Sequence, residues 1–91
     1  MNFYPFHIGD YASHTRHLSL IEDIAYRRLI DAYYLAEKPF QGESDLIARS
    51  IGMKEYLDEV DYVLIMFFEE TPNGWINKRC DDEIEIGRAH V

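Results

Sequence analysis

The stretch from Leu18 to Lys38, LSLIEDIAYRRLIDAYYLAEK, limits this chain more than any other. It carries a helix start, an apolar period and a stop in the right order. Ser19 followed three residues later by Glu22 is a capping box. The Ser19 hydroxyl accepts from the Glu22 amide, and the Glu22 carboxylate reaches back to the Ser19 amide. Ile21, Ala25, Leu29, Ala32 and Ala36 then recur at steps of three and four, which predicts a buried stripe. Tyr26, Ile30, Tyr33 and Tyr34 widen that stripe. Asp23, Arg27 and Asp31 stand four apart on the wet side, where they can pair. Pro39 disfavours helical geometry in the residue before it, so the helix is expected to end near Lys38.

The elements downstream follow from similar signals. Phe40-Gln41-Gly42-Glu43 reads as a turn, and Ser44 as the cap of a short helix through Ser50, with Leu46, Ile47 and Ile51 facing inward. Gly52 is a natural left-handed stop. A third helix is expected from Lys54 to Phe67. Its inner face is Tyr56, Leu57, Val60, Val63, Leu64 and Phe67, with Glu55, Asp58, Glu59 and Asp61 toward solvent. Phe68 to Thr71 and Trp75 to Lys78 flank Pro72-Asn73-Gly74, a hairpin signal because Asn and Gly tolerate positive φ. Trp75 is expected to pack this hairpin onto the helices. Arg79 to Glu85 can begin another helix, and the turn-rich residues 2–18 read as irregular or as one short strand. Helix, short helix, helix and hairpin is the winged-helix order, so the expected fold is mainly α with a small β-hairpin: three helices plus a wing.

Size and charge bound the function. Ninety-one residues make one domain, with 47% apolar and 14% aromatic residues for its core. Residues 1–53 carry five Lys/Arg against seven Asp/Glu, whereas residues 54–85 carry three against ten. That acidic carboxyl half repels phosphate, so any DNA contact would need a local basic patch. No run approaches the roughly 20 apolar residues needed to cross a bilayer, and the amino terminus lacks a signal-peptide pattern. The single cysteine, Cys80, fits a reducing compartment, which makes the cytoplasm the expected location.

The last six residues, Ile86-Gly87-Arg88-Ala89-His90-Val91, are what ATCGGAAGAGCACACGTC, a common sequencing-adapter string, would translate to. The expected division is therefore a single domain over 1–85 and a non-native tail over 86–91, with the natural reading frame continuing past Glu85.

With the elements placed, the chain resembles the YdaU-like prophage family over about residues 3–84. The resemblance rests on Tyr4-Pro5, Gly9-Asp10-Tyr11, Thr15 and Leu18-Ser19-Leu20. It continues through Ala25-Tyr26-Arg27-Arg28-Leu29, Tyr33-Tyr34, Leu46-Ile47-Ala48-Arg49 and Phe67-Phe68. It closes on Gly74-Trp75, Asn77 and Arg79-Cys80-Asp81. It implies a winged-helix-like fold at the front of longer phage-type proteins associated with replication initiation. It brings no catalytic residues with it.

Chemistry-bearing arrangements are sparse. His7, His14 and His17 with Asp10 lie in an irregular segment far from Cys80, and solvated histidines explain them better than a zinc site does. Ser13-His14 and Ser19-Glu22 are explained by a turn and a cap, and Cys80 adjoins Asp81 and Asp82, which oppose thiolate formation. No enzyme chemistry, metal or cofactor is expected. Helix three carries acids where DNA-reading helices carry Arg, Lys, Asn and Gln. The expected function is therefore a non-enzymatic protein-interaction module, binding a replication protein or a second copy. Its candidate face is Glu55, Asp58, Glu59, Tyr62, Tyr33 and Tyr34. The alternative is duplex DNA binding through the wing, with Arg49, Lys54, Lys78 and Arg79 as candidate phosphate contacts.

Overall fold

The computed structural model describes residues 16–89. Four helices and one hairpin follow in order: α1 Leu20–Ala36, α2 Ser44–Ser50, a 3₁₀ turn Lys54–Tyr56, α3 Leu57–Phe67, β1 Glu69–Thr71, β2 Gly74–Ile76 and α4 Lys78–Ala89. The architecture is mainly helical with a two-stranded antiparallel wing, a winged-helix-like fold.

Helix α1 starts where its capping box places it. The Glu22 amide donates to Ser19 Oγ at 3.2 Å, and the Ser19 amide donates to Glu22 Oε1 at 2.9 Å. The helix stops at Ala36, short of Lys38, because Glu37 takes the left-handed conformation with φ of 55° while its amide still reaches the Tyr33 carbonyl at 2.9 Å. Its buried residues are Ala25, Leu29, Ile30 and Tyr33. Ile21 and Ala32 lie at the edge of that stripe and Ala36 is exposed. The stripe is thus rotated toward the tyrosines relative to the period read through the alanines. Large side chains win the core positions, because each fully buried one contributes about 1.5–3 kcal/mol.

Helix α2 has Glu43 rather than Ser44 at its N-cap, with no side-chain cap bond. Only Ile47 and Ala48 are buried, Ile51 is half-buried, and Leu46 points outward. The C-terminus is a Schellman closure. The Met53 amide donates to the Ala48 carbonyl at 2.8 Å and the Gly52 amide to the Arg49 carbonyl at 3.1 Å, with Gly52 at φ of 73°. Met53 and Ala48 are both buried, which supplies the apolar contact of that motif. From α1, the Arg28 guanidinium donates to the Ile51 carbonyl at 3.0 Å, tying the turn to the first helix.

The segment after Gly52 divides into the 3₁₀ turn and α3. Val60, Val63 and Leu64 are the buried residues of α3, Phe67 is half-buried, and Tyr56 and Leu57 face solvent more than their spacing suggested. Helix α3 packs on both α1 and α2, and α4 closes against α1. The core is finished by an aromatic group in which the Tyr33, Phe40 and Phe68 rings lie 5.4–5.9 Å apart.

In the wing, Glu69 pairs with Ile76, Glu70 with Trp75 and Thr71 with Gly74. The loop is therefore Pro72-Asn73 alone, and Gly74 belongs to β2. Phe40, expected in a turn, makes a bridge with Trp75. The Phe40 amide donates to the Trp75 carbonyl and the Trp75 amide to the Phe40 carbonyl, each at 2.9 Å. The third strand position is thus supplied by the link between α1 and α2. The strand expected from the leader lies outside the described residues. Trp75 packs against the core as expected.

Candidate functional site

The outer surface of α3 is the part of a winged helix that normally meets a partner, and here its residues can be assigned by position. Val60, Val63, Leu64 and Phe67 turn inward, so the opposite side, at 100° per residue, is Asp58, Tyr62, Ile65 and Met66. Tyr62, Ile65 and Met66 are 38%, 62% and 50% exposed. Glu55 and Asp58 are exposed beside them, while Glu59 and Asp61 are half-buried on the flanks. Glu69 and Glu70 of β1 continue the acidic border past the helix end, both exposed. From Glu55 to Asn77 the chain contains six carboxylates and no Lys, Arg or His. None of the six is paired with a cation among the described residues.

The candidate tyrosines divide. Tyr33 is fully buried and offers no surface to a partner, which corrects its place in the interaction face. Its hydroxyl donates to Asp81 Oδ1 at 2.6 Å, and burial first, then this bond, pushes its pKa up to about 12. Tyr34 is half-buried, and burial first, then the neighbouring Cys80 thiol of α4, raises its hydroxyl well above the ordinary phenol value. Both tyrosines therefore join α1 to α4. Tyr62 alone of the three faces out from α3.

The candidate cations divide as well. Arg49 lies in the last turn of α2 and Lys54 opens the 3₁₀ turn, so they flank Gly52 from either side, both exposed. Lys78 and Arg79 are also exposed, but they stand in the first turn of α4 and not on the wing. Helix α4 starts one residue after β2, at Lys78, one residue earlier than its first sequence signal. The positive end of its dipole and its N-terminal cations point the same way.

Two residues join the elements through roles that the sequence does not declare. Asn77 caps α4, its Oδ1 accepting from the Cys80 amide at 2.9 Å, while its Nδ2 donates to the Phe67 carbonyl at the end of α3 at 3.0 Å. The Asn-x-x-Cys run is a recognisable cap signal, hidden by the assumption that strand two extended to Lys78. Arg28 enters the sequence pattern only within Ala25-Tyr26-Arg27-Arg28-Leu29, and nothing local announces its bond to a turn 23 residues away.

Cys80 is buried, and desolvation lifts its thiol to about 11, so it is a protonated core side chain at neutral pH. No group of three or more His, Cys, Asp or Glu among the described residues is arranged to hold a metal ion. His17 is exposed and stacks on Phe67 with ring centres 6.4 Å apart; His7, His14 and Asp10 lie outside the described residues. No helix among the described residues is long and apolar enough to cross a membrane.

Comparison with curated proteins and with solved structures gives no match. A family model does match, over residues 2–85, nearly the whole chain. The chain belongs to the family described as "Protein of unknown function (DUF1376)".

Proposed function

We propose that this domain is a non-enzymatic protein-interaction module, the N-terminal part of a YdaU-like prophage protein acting in replication initiation in the cytoplasm. The observation that carries the reading is the cation-free run from Glu55 to Asn77, which takes in the whole of α3 and the wing. Those are the elements a DNA-binding winged helix uses, and they read DNA through Arg, Lys, Asn and Gln against a polyanion. Six carboxylates there oppose phosphate, whereas Tyr62, Ile65 and Met66 standing exposed among them suit a protein partner.

A second reading, duplex binding, draws on Arg49 and Lys54 flanking the Gly52 turn and on Lys78 and Arg79 at the start of α4. Four cations would support only a shallow salt dependence and nonspecific affinity.

One pair of measurements decides between the two. Fluorescence anisotropy with random duplex at physiological salt is expected to give a dissociation constant weaker than about 10⁻⁵ M. Nuclease-treated affinity capture from cells carrying the gene is expected to retain proteins that are lost with Ile65→Ser/Met66→Ser and kept with Lys78→Ala/Arg79→Ala. Tight duplex binding abolished by the Lys78/Arg79 pair would overturn the protein-interaction reading.

A further inference from the structure

We propose that the outer face of α3 docks an amphipathic helix rich in Lys and Arg; this rests on the protein-interaction reading and specifies its partner. Asp58, Tyr62, Ile65 and Met66 follow one another at i, i+4, i+7 and i+8 on the side of α3 opposite the core. That spacing is the one by which a helix lays a side-chain row against another helix. The row is apolar in its middle and acidic at both ends. Asp58 stands one turn before Tyr62 and Glu55 about two turns before it, and Glu69 and Glu70 follow Met66 after the helix ends. From Asp58 to the helix end at Phe67 is about 14 Å along the axis, at 1.5 Å per residue, or about two and a half turns of a partner helix.

Charge complementarity selects the occupant. The acids are exposed or on the flanks, unpaired with any described cation, and no Lys, Arg or His interrupts them over residues 55–77. A second copy meeting this face with its own would set the same six carboxylates against each other, and like-charge juxtaposition is strongly disfavoured. Anionic lipid headgroups and nucleic-acid phosphate are repelled for the same reason. A helix with two apolar side chains at i and i+4, and Lys or Arg a turn beyond on both sides, satisfies centre and ends together. Met66 suits such a contact because its unbranched thioether adapts to the shape of the side chain it meets.

The test is a titration of the intact 91-residue chain against labelled synthetic helices of 18 residues, read by fluorescence anisotropy. One peptide carries a Leu face and a Lys face, the second replaces Lys by Glu, and the third replaces Leu by Ser. Only the Leu/Lys peptide is expected to bind. Ile65→Ser/Met66→Ser, or Tyr62→Ser as an independent change, is expected to weaken it tenfold or more. Glu55→Gln/Asp58→Asn should weaken it comparably and flatten its salt dependence, while Asp82→Asn on α4 leaves it unchanged. Circular dichroism of each variant confirms the fold, since all these side chains lie on the surface. Equal losses from Asp82→Asn, or none from Ile65→Ser/Met66→Ser, would mean general attraction to an acidic protein and would sink the proposal. If the Leu/Glu peptide bound as well as Leu/Lys and Ile65→Ser/Met66→Ser abolished both, the basic partner would be wrong while the protein-interaction reading stood. Failure of every peptide would also reject the basic partner, and the capture experiment would then judge the broader reading separately.

Discussion

Replacing Asn77 by Ala probes the joint on which the arrangement of α3, wing and α4 depends. Asn77 is the one residue of polar or charged type that is buried among the described residues. The Oδ1 atom accepts from the Cys80 amide at 2.9 Å, one of the α4 donors that the helix itself leaves without a partner. Loss of an Asn cap to Ala costs about 0.5–2 kcal/mol. The Nδ2 atom donates to the Phe67 carbonyl at 3.0 Å, an orphan acceptor at the end of α3. A hydrogen bond of this kind contributes about 0.5–1.5 kcal/mol net. Asn77→Ala is therefore expected to lose about 1–3.5 kcal/mol, within a total of about 5–15 kcal/mol for a domain. Asn77→Asp separates the two halves, because it keeps the cap acceptor, gains from the α4 dipole and loses the donor to Phe67. It should fall between the parent and the Ala variant. Urea unfolding followed by Trp75 fluorescence and by circular dichroism measures both. A midpoint for Asn77→Ala indistinguishable from the parent would refute the joint, and an Asp variant as weak as Ala would refute the cap.

Ser19→Ala removes the acceptor of the α1 capping box and is expected to lower stability by about 0.5–2 kcal/mol, read as a lower thermal midpoint. Gly74 has φ of 119°, and a Cβ there would overlap the Phe40 carbonyl oxygen, so Gly74→Ala should break the Phe40–Trp75 bridge and destabilise by at least about 1–3 kcal/mol in urea unfolding. Burial, with Asp81 adding to it for Tyr33, raises Cys80 from 9.0 to about 11 and Tyr33 from 10.0 to about 12. Since the folded values are the higher ones, their contribution to stability is whole below about pH 9 and is lost as pH rises through 11 and 12; urea midpoints measured from pH 7 to 11.5 should fall above pH 9, and Tyr33→Phe should blunt that fall. The Cys80 thiol should react with a thiol-specific chromogenic disulfide only after denaturant is added, because it is buried and protonated.

Local signals carried the sequence reading wherever one residue type forces one geometry. Ser19 with Glu22 and Gly52 each act within a few residues, and both appear as read. The element order and the wing were legible for the same reason. What failed was decided at a distance. Tyr33, read on the buried stripe and also as a candidate for the interaction face, keeps only the first place, because Asp81, 48 residues on, accepts a hydrogen bond from its buried hydroxyl. Phe40 looks like part of a turn until Trp75 supplies its backbone partners. Leu46 fits an apolar period yet is exposed, since a seven-residue helix contributes only about two positions to the core. Lys78 and Arg79 moved from the wing to α4 because Asn77 ends the strand by capping the next helix. On the candidate surface, the acids of α3 and the outward Tyr62 were readable from helical spacing, whereas Ile65 and Met66 passed unnoticed within a run that is apolar from Tyr62 to Phe68. Within such a run, only the packing of α1 and α2 on α3 decides which side chains are left over.

The leftover side chains and the surrounding acids have a common energetic reading. The outer face of α3 does nothing for the core, and Tyr62, Ile65 and Met66 could be polar with only a few tenths of a kcal/mol of effect on folding, as for most surface positions. The six carboxylates from Glu55 to Glu70 stand near one another with no cation between them and repel one another, a cost that only Asp58 and Glu59, in the first turn of α3, offset through its dipole. Both features work against a free domain and favour a covered one. A cationic, apolar-centred partner removes the exposed hydrocarbon and relieves the repulsion in one step. Because it binds only the folded chain, it must also raise the unfolding midpoint in proportion to the logarithm of its concentration above saturation.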